Sequence, residues 1–142
     1  MLAVSPHVNS IVRQLSMKPK YEKIERQSKT EIEAAILRDD SDKLVYAVLS
    51  AALYAEDFAW AENICARLAA HENETVRGNA ILGFGHIARI HGQLTEAKVK
   101  PLIESALEDK SAFVRDHADS AKDDAKMFLH WKWKHKRKAR EK

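Results

Sequence analysis

Apolar residues recur every three to four positions along most of the chain, a spacing that predicts one amphipathic helix after another. Val8, Ile11, Val12 and Leu15 form the first stripe, opened by Ser5-Pro6 and closed by Pro19. Thr30-x-x-Glu33 has the form of a capping box ahead of a helix reaching about Arg38, and Asp39 to Asp42 make a polar turn. Leu44, Val45, Val48, Leu49 and Ala52 mark a helix over residues 42–55. Asp57 can cap another whose stripe is Ala61, Ile64, Cys65 and Leu68, ending near His71. Asn73 can cap the next, with Val76, Ala80, Phe84, Ile87 and His91 on one side and Gly92 as its stop. Thr95 opens a helix carrying Val99, Leu102, Ile103, Ala106 and Leu107, and Ser111 opens the last, through Val114, Ala118 and Ala121 toward Phe128. Six or seven helices with short connections are expected, and no strand.

The stripes repeat. Shifting the chain by 38 residues lays Ile64, Cys65, Leu68, Val76 and Ala80 on Leu102, Ile103, Ala106, Val114 and Ala118, with Val76-Arg77 falling on Val114-Arg115. A shift of 32 lays Ile36, Leu44 and Val48 on Leu68, Val76 and Ala80. Three helix–turn–helix units therefore share one pattern of buried positions. Val99-x-Pro101-Leu102, Leu107-Glu108-Asp109 and Val114-Arg115-x-x-Ala118 resemble the HEAT-repeat pattern. The preceding unit matches through Val76-Arg77-x-x-Ala80 but has Asn63 where the proline would stand, and residues 32–55 depart further, with Val45 in the arginine position. The resemblance covers roughly residues 30–130 and implies an all-α, HEAT-like α-solenoid of about three helical hairpins with an extra N-terminal helix. Stacked units of this kind share one core and expose an extended curved surface.

Composition agrees with helix. Hydrophobic residues make up 45% and charged residues 32% of the 142, and 4 Gly and 3 Pro are too few for a fold of many tight β-turns. Residues 1–130 read as a single domain and residues 131–142 as a basic tail. The tail holds Lys132, Lys134, Lys136, Arg137, Lys138, Arg140 and Lys142 against Glu141, whereas the rest holds 17 basic and 20 acidic side chains. The overall charge of +3 thus belongs to the tail, and the body is mildly acidic. Residues 1–20 lack the basic-then-apolar pattern of a signal peptide, and Glu56 and Asp57 interrupt the longest apolar run, so a cytoplasmic chain without a membrane span is expected.

Little catalytic chemistry is legible. The lone Cys65 sits in an apolar stripe and reads as core. The seven histidines include no pair at i, i+4 with a carboxylate partner, no glycine-rich phosphate loop follows a strand, and no cofactor or metal is expected. Gly83 and Gly85 fall inside a helix, where close packing of a neighbour would explain them. An enzyme is not expected. Binding is. In the HEAT family the second helices line the concave face, and the shifts make Tyr54, His86 and Asp124 equivalent there, as they do Ser50, Leu82 and Ser120, and Ala47, Asn79 and His117. The expected partner-binding residues are these polar positions, Tyr54, Asn79, His86, His117 and Asp124, together with Arg89 and with Asp57 and Trp60, an acid and an aromatic anchor at a turn. Asp116, Asp119 and Asp123 share one face of the last helix and suit a cationic partner.

The segment Gly85-His86-Ile87-Ala88-Arg89-Ile90-His91-Gly92, with Asp57-x-x-Trp60 before it, resembles short bacterial HEAT-type proteins, some of them similar to immunity proteins encoded beside polymorphic or contact-dependent growth-inhibition toxins. That resemblance implies a small antidote that binds a cognate toxin domain, many of them nucleases, in a one-to-one complex and blocks its active site or substrate access. A second reading stays open: Trp131-Lys132-Trp133-Lys134-His135-Lys136-Arg137-Lys138 mixes aromatics and cations in a way that suits nucleic acid or an anionic membrane surface.

Overall fold

The computed structural model describes residues 24–133, and among these no strand is found. Six helices follow in order: α1 (Lys29–Arg38), α2 (Ser41–Tyr54), α3 (Phe58–Leu68), α4 (Glu74–His91), α5 (Glu96–Ala106) and α6 (Ala112–Leu129). The stripe over residues 8–15 lies outside the described residues.

Local signals set most boundaries. The side chains of Asp40, Asp57, Asn73 and Ser111 accept hydrogen bonds from the first free N–H groups of α2, α3, α4 and α6. Gly92 ends α4 at φ 64°, a left-handed conformation that glycine adopts without steric cost. Thr95 occupies the cap position of α5 without a side-chain hydrogen bond. The capping box, expected at Thr30 and Glu33, is made two residues earlier. Ser28 Oγ accepts from the Glu31 N–H at 3.0 Å, and Glu31 Oε1 accepts from the Ser28 N–H at 2.7 Å. Both spellings are present, and the earlier one keeps Lys29 and Thr30 helical. The helix after Asp57 also stops at Leu68, short of His71.

The helices pair as three antiparallel hairpins laid side by side, with the most extensive packing between the second helices, α4 on α6 and α2 on α4. Positions equated by the repeat are buried together: Leu44, Val76 and Val114 are fully covered, as are Val48, Ala80 and Ala118. α4 is central and carries the largest buried side chain, Phe84, with Ile81 and Ile87. A Cβ on Gly83 would stand 2.6 Å from Cys65 Sγ and 3.3 Å from Ala52 Cβ, so the bare backbone is what lets α4 close onto α2 and α3.

Polar bonds tie each turn to the next. Arg77 donates from Nε and one terminal nitrogen to the two oxygens of Asp109, at 2.8 and 2.9 Å, and from the other terminal nitrogen to the carbonyls of His71 and Glu72. Arg115, its equivalent 38 residues on, donates to the carbonyl of Asp109 at 2.8 Å. One hairpin earlier, His71 Nδ1 accepts from the Asn73 N–H, which leaves its Nε2–H to donate to Asp39 at 2.7 Å. The Val-Arg step therefore has a mechanical role. It closes its own turn and reaches the neighbouring one.

The C-terminal edge is finished by Trp131 and Trp133, both half-buried against the core. Lys100 and Lys122 lie over the Trp133 ring at 5.3 and 5.6 Å, and Lys100 donates to the Lys132 carbonyl. Residues 134–142 of the basic tail lie outside the described residues.

Candidate functional site

Placing the residues singled out from sequence separates them into three groups. Asp57 and Trp60 serve the first hairpin. The Asp57 carboxylate caps α3 and sits 3.8 Å from the Lys29 ammonium, which lies 5.1 Å above the half-buried Trp60 ring. They edge a cleft of about 340 Å³ bounded also by Arg26, Ser28, Ser50 and Tyr54.

Asn79 does not join a solvent-facing strip, and Tyr54, 36% exposed, is held by the segment before α1. The Tyr54 hydroxyl donates to the Ile24 carbonyl at 3.0 Å, the Arg26 guanidinium lies 5.2 Å from its ring centre, and Ser50 Oγ accepts from the Gln27 N–H at 2.8 Å. The segment before α1 thus crosses α2 where the strip was expected to begin. Asn79 is fully buried. Its amide donates to the Thr75 carbonyl at 2.9 Å, whereas its Oδ1 finds no partner among the described residues. The repeat puts Asn79 on the concave, partner-binding strip, but α4 has a neighbour on each flank and the residue is closed over.

The third group does converge. His86, Arg89, His117 and Asp124 line the seam where α4 meets α6. Arg89 donates a terminal N–H to His86 Nδ1 at 2.8 Å. Because arginine can only donate, Nδ1 is bare and the ring proton resides on Nε2. Burial, reinforced by the charge of Arg89 and by His117, pushes the His86 pKa down to about 4. His117 donates from Nδ1 to the Phe113 carbonyl at 2.9 Å and packs on the Phe113 ring, centroids 4.0 Å apart. Its pKa is lowered by burial, against the opposing pull of that hydrogen bond and of Asp116.

Asp124 reaches back over α4. A Cβ on Gly85 would stand 2.5 Å from Asp124 Oδ2 and 3.3 Å from the Ala121 Cα, so this glycine makes room for both the carboxylate and the approach of α6. Burial holds the Asp124 carboxyl above the usual range; Arg89 opposes this and Asp123 adds to it. Beside the seam, at the C-terminal ends of the two helices, Ile90 is 44%, Phe128 38% and Met127 68% exposed. Sequence reasoning missed these three. Ile90 and Phe128 are equivalent under the 38-residue shift, each four residues beyond His86 and Asp124, so the repeat that equated the polar pair also carried the apolar one.

No group of three or more His, Cys, Asp or Glu among the described residues is arranged to hold a metal ion. Nor is any described helix long and apolar enough to cross a membrane. Cys65 is buried, and burial, with the nearby Glu62 adding to it, pushes its thiol up to about 12, so it remains protonated. The seam brings together neutral imidazoles, a carboxylate and a guanidinium beside exposed apolar side chains.

No family model and no curated protein sequence matches the chain. Among solved structures the match is clear. The chain is similar to a component of a CDI complex. The crystal structure of that complex, from Cupriavidus taiwanensis LMG 19424, contains a chain that superposes with a TM-score of 0.67 at 26% identity. The match spans 75% of this chain and 94% of that one, so nearly the whole of the CDI-complex chain has its counterpart here.

Proposed function

We propose that this protein is the immunity component of a contact-dependent growth-inhibition system, a cytoplasmic binder that neutralises a cognate toxin domain by covering its active site or substrate-binding surface. The observation that carries this reading is the likeness to a chain of the CDI complex over 94% of that chain's length. The stacked hairpins support it as a HEAT-like α-solenoid, a scaffold that presents one long face without chemistry of its own. The seam between α4 and α6 has the mixed anatomy of an interface, with partly desolvated polar groups next to exposed apolar ones. The toxin in this reading is a nuclease bound one to one, and the mild acidity of residues 1–130 favours encounter with a basic substrate surface. Nucleic-acid binding through residues 131–142 has less behind it, because the Trp131 and Trp133 rings pack against the body and against each other rather than standing free to stack on bases.

Co-expression tests the reading. The polypeptide encoded immediately upstream should arrest growth when its C-terminal domain is produced alone, and co-production of this protein should restore growth. Arrest that persists despite equal amounts of this protein would refute the assignment.

A further inference from the structure

The first hairpin has an open flank. Among the described residues α2 packs beside another second helix, α4, on one side only. On its other side Lys43, Tyr46, Ser50 and Tyr54 follow at helical spacing and share a face. The half of that face nearer the C-terminus of α2 is covered by the chain itself, since Tyr54 donates to the Ile24 carbonyl and Ser50 accepts from the Gln27 N–H. The other half is open. There α1 and α2 frame a groove of about 740 Å³, with Thr30, Ala34 and Arg38 along one wall and Lys43 and Tyr46 along the other. Tyr46 is 43% exposed, and Leu37, three residues past Ala34 on the same side of α1, is 86% exposed at the rim.

We infer that residues 6–18 of this same chain occupy the groove as a short helix antiparallel to α1, with Val8, Ile11, Val12 and Leu15 turned onto Ala34, Leu37 and Tyr46. The place of Ile24 favours this occupant. It is the first described residue, it is 3% exposed, and it is already held on the open flank of α2, so the residues before it start beside the groove. A helix over residues 6–18 is about 20 Å long, against about 15 Å for the 10 residues of α1. Residues 19–23 reach at most about 17 Å when extended. That is enough to double back past Ile24 to Gln27, where the groove begins. The stripe forms a single apolar face, and Asn9, Ser10, Arg13 and Gln14 lie off it, as in a helix laid on one surface. A short tether holds such a segment at an effective concentration of about millimolar, so a modest apolar contact suffices to keep it in place. The helix finishes this end of the stack as Trp131 and Trp133 finish the other. It goes beyond the binding role proposed above and leaves the α4–α6 seam free for a partner.

Disulfide trapping in the full chain tests the docking. Ile11→Cys with Ala34→Cys should cross-link within one molecule roughly tenfold or more faster than Ile11→Cys with Ala59→Cys. Ala59 is exposed at the start of α3, which the Lys29–Asp57 pair holds beside the start of α1, so the control site lies near the same point of entry. Cys65 is buried and stays out of the exchange. Adding Val12→Asp and Leu15→Asp to the first pair should bring its rate down to that of the control, because the apolar stripe and not the tether alone holds the segment in the groove. Circular dichroism of each variant guards against loss of fold. Equal rates for the two pairs, or a fast first pair that survives the two aspartates, would overturn the inference. Cross-links that join two molecules, seen as a dimer without reductant, would also overturn it by making a second copy the occupant.

Discussion

Replacing Asp109 by alanine probes the tie between the second and third hairpins. Its carboxylate receives two N–H groups from Arg77 and one from the Ser111 backbone, and the two side chains are only 11% and 16% exposed. Removing it strands a nearly buried guanidinium that keeps only the His71 and Glu72 carbonyls. Breaking a buried pair from one side costs about 3 to 5 kcal/mol; since neither group is fully enclosed, the lower end, about 3 kcal/mol, is expected. For a chain of this size about 3 °C in Tm accompanies each kcal/mol, so melting should fall by roughly 9 °C. Urea denaturation at pH 7 measures the free energy, and Arg77→Ala in the Asp109→Ala background should add much less than it does alone. The pair also has a pH signature. The hydrogen bonds from Arg77 hold the Asp109 carboxyl below its ordinary value of 3.8, so its contribution is present above that pH and is lost as pH falls through the lower, folded value. A loss of less than 1 kcal/mol for Asp109→Ala, or additive single variants, would show that the turn-to-turn tie is not a structural element.

Further outcomes follow from the core and the seam. Gly83→Ala should destabilise by about 1 to 3 kcal/mol through its clash with Cys65 Sγ, and Cys65→Ala should relieve much of that; two variants that simply add would refute the close approach. The Cys65 thiol should resist an aromatic disulfide reagent at pH 8 in the native protein and react at once in denaturant, and prompt native reaction would contradict its burial. His86, neutral when folded, should titrate near pH 4 by NMR. Its folded pKa lies below the ordinary 6.5, so the unfolded chain binds its proton first and stability should fall as pH drops from 6.5 toward 4. His86→Ala should reduce that slope, and a titration near 6.5 would place the ring in solvent.

The fold was readable where the determinants are local. Asp57, Asn73 and Ser111 cap the helices they precede, and Gly92 stops α4, because each satisfies backbone groups a few residues away. The repeat carried the hairpin pairing, since Val76-Arg77 and Val114-Arg115 occupy the same place in successive turns. Gly83 and Gly85 meet neighbouring helices as their helical setting suggested. The strip along the second helices was only partly readable. Periodicity assigns Tyr54 and Asn79 to a face but cannot say what else crosses it. The segment from Ile24 to Gln27 covers α2 through contacts more than twenty residues apart in sequence, and α4 is flanked on both sides. Long-range cover of this kind leaves no local trace.

The central claim, that this chain works by holding another protein, is most directly tested by mixing it with the purified, catalytically inactivated C-terminal domain of whatever polypeptide is encoded immediately upstream and measuring the mass of the eluted species by light scattering. The account predicts a single species with the summed mass of one copy of each, persisting at micromolar dilution. Two species eluting at their separate masses, at concentrations of tens of micromolar, would contradict it.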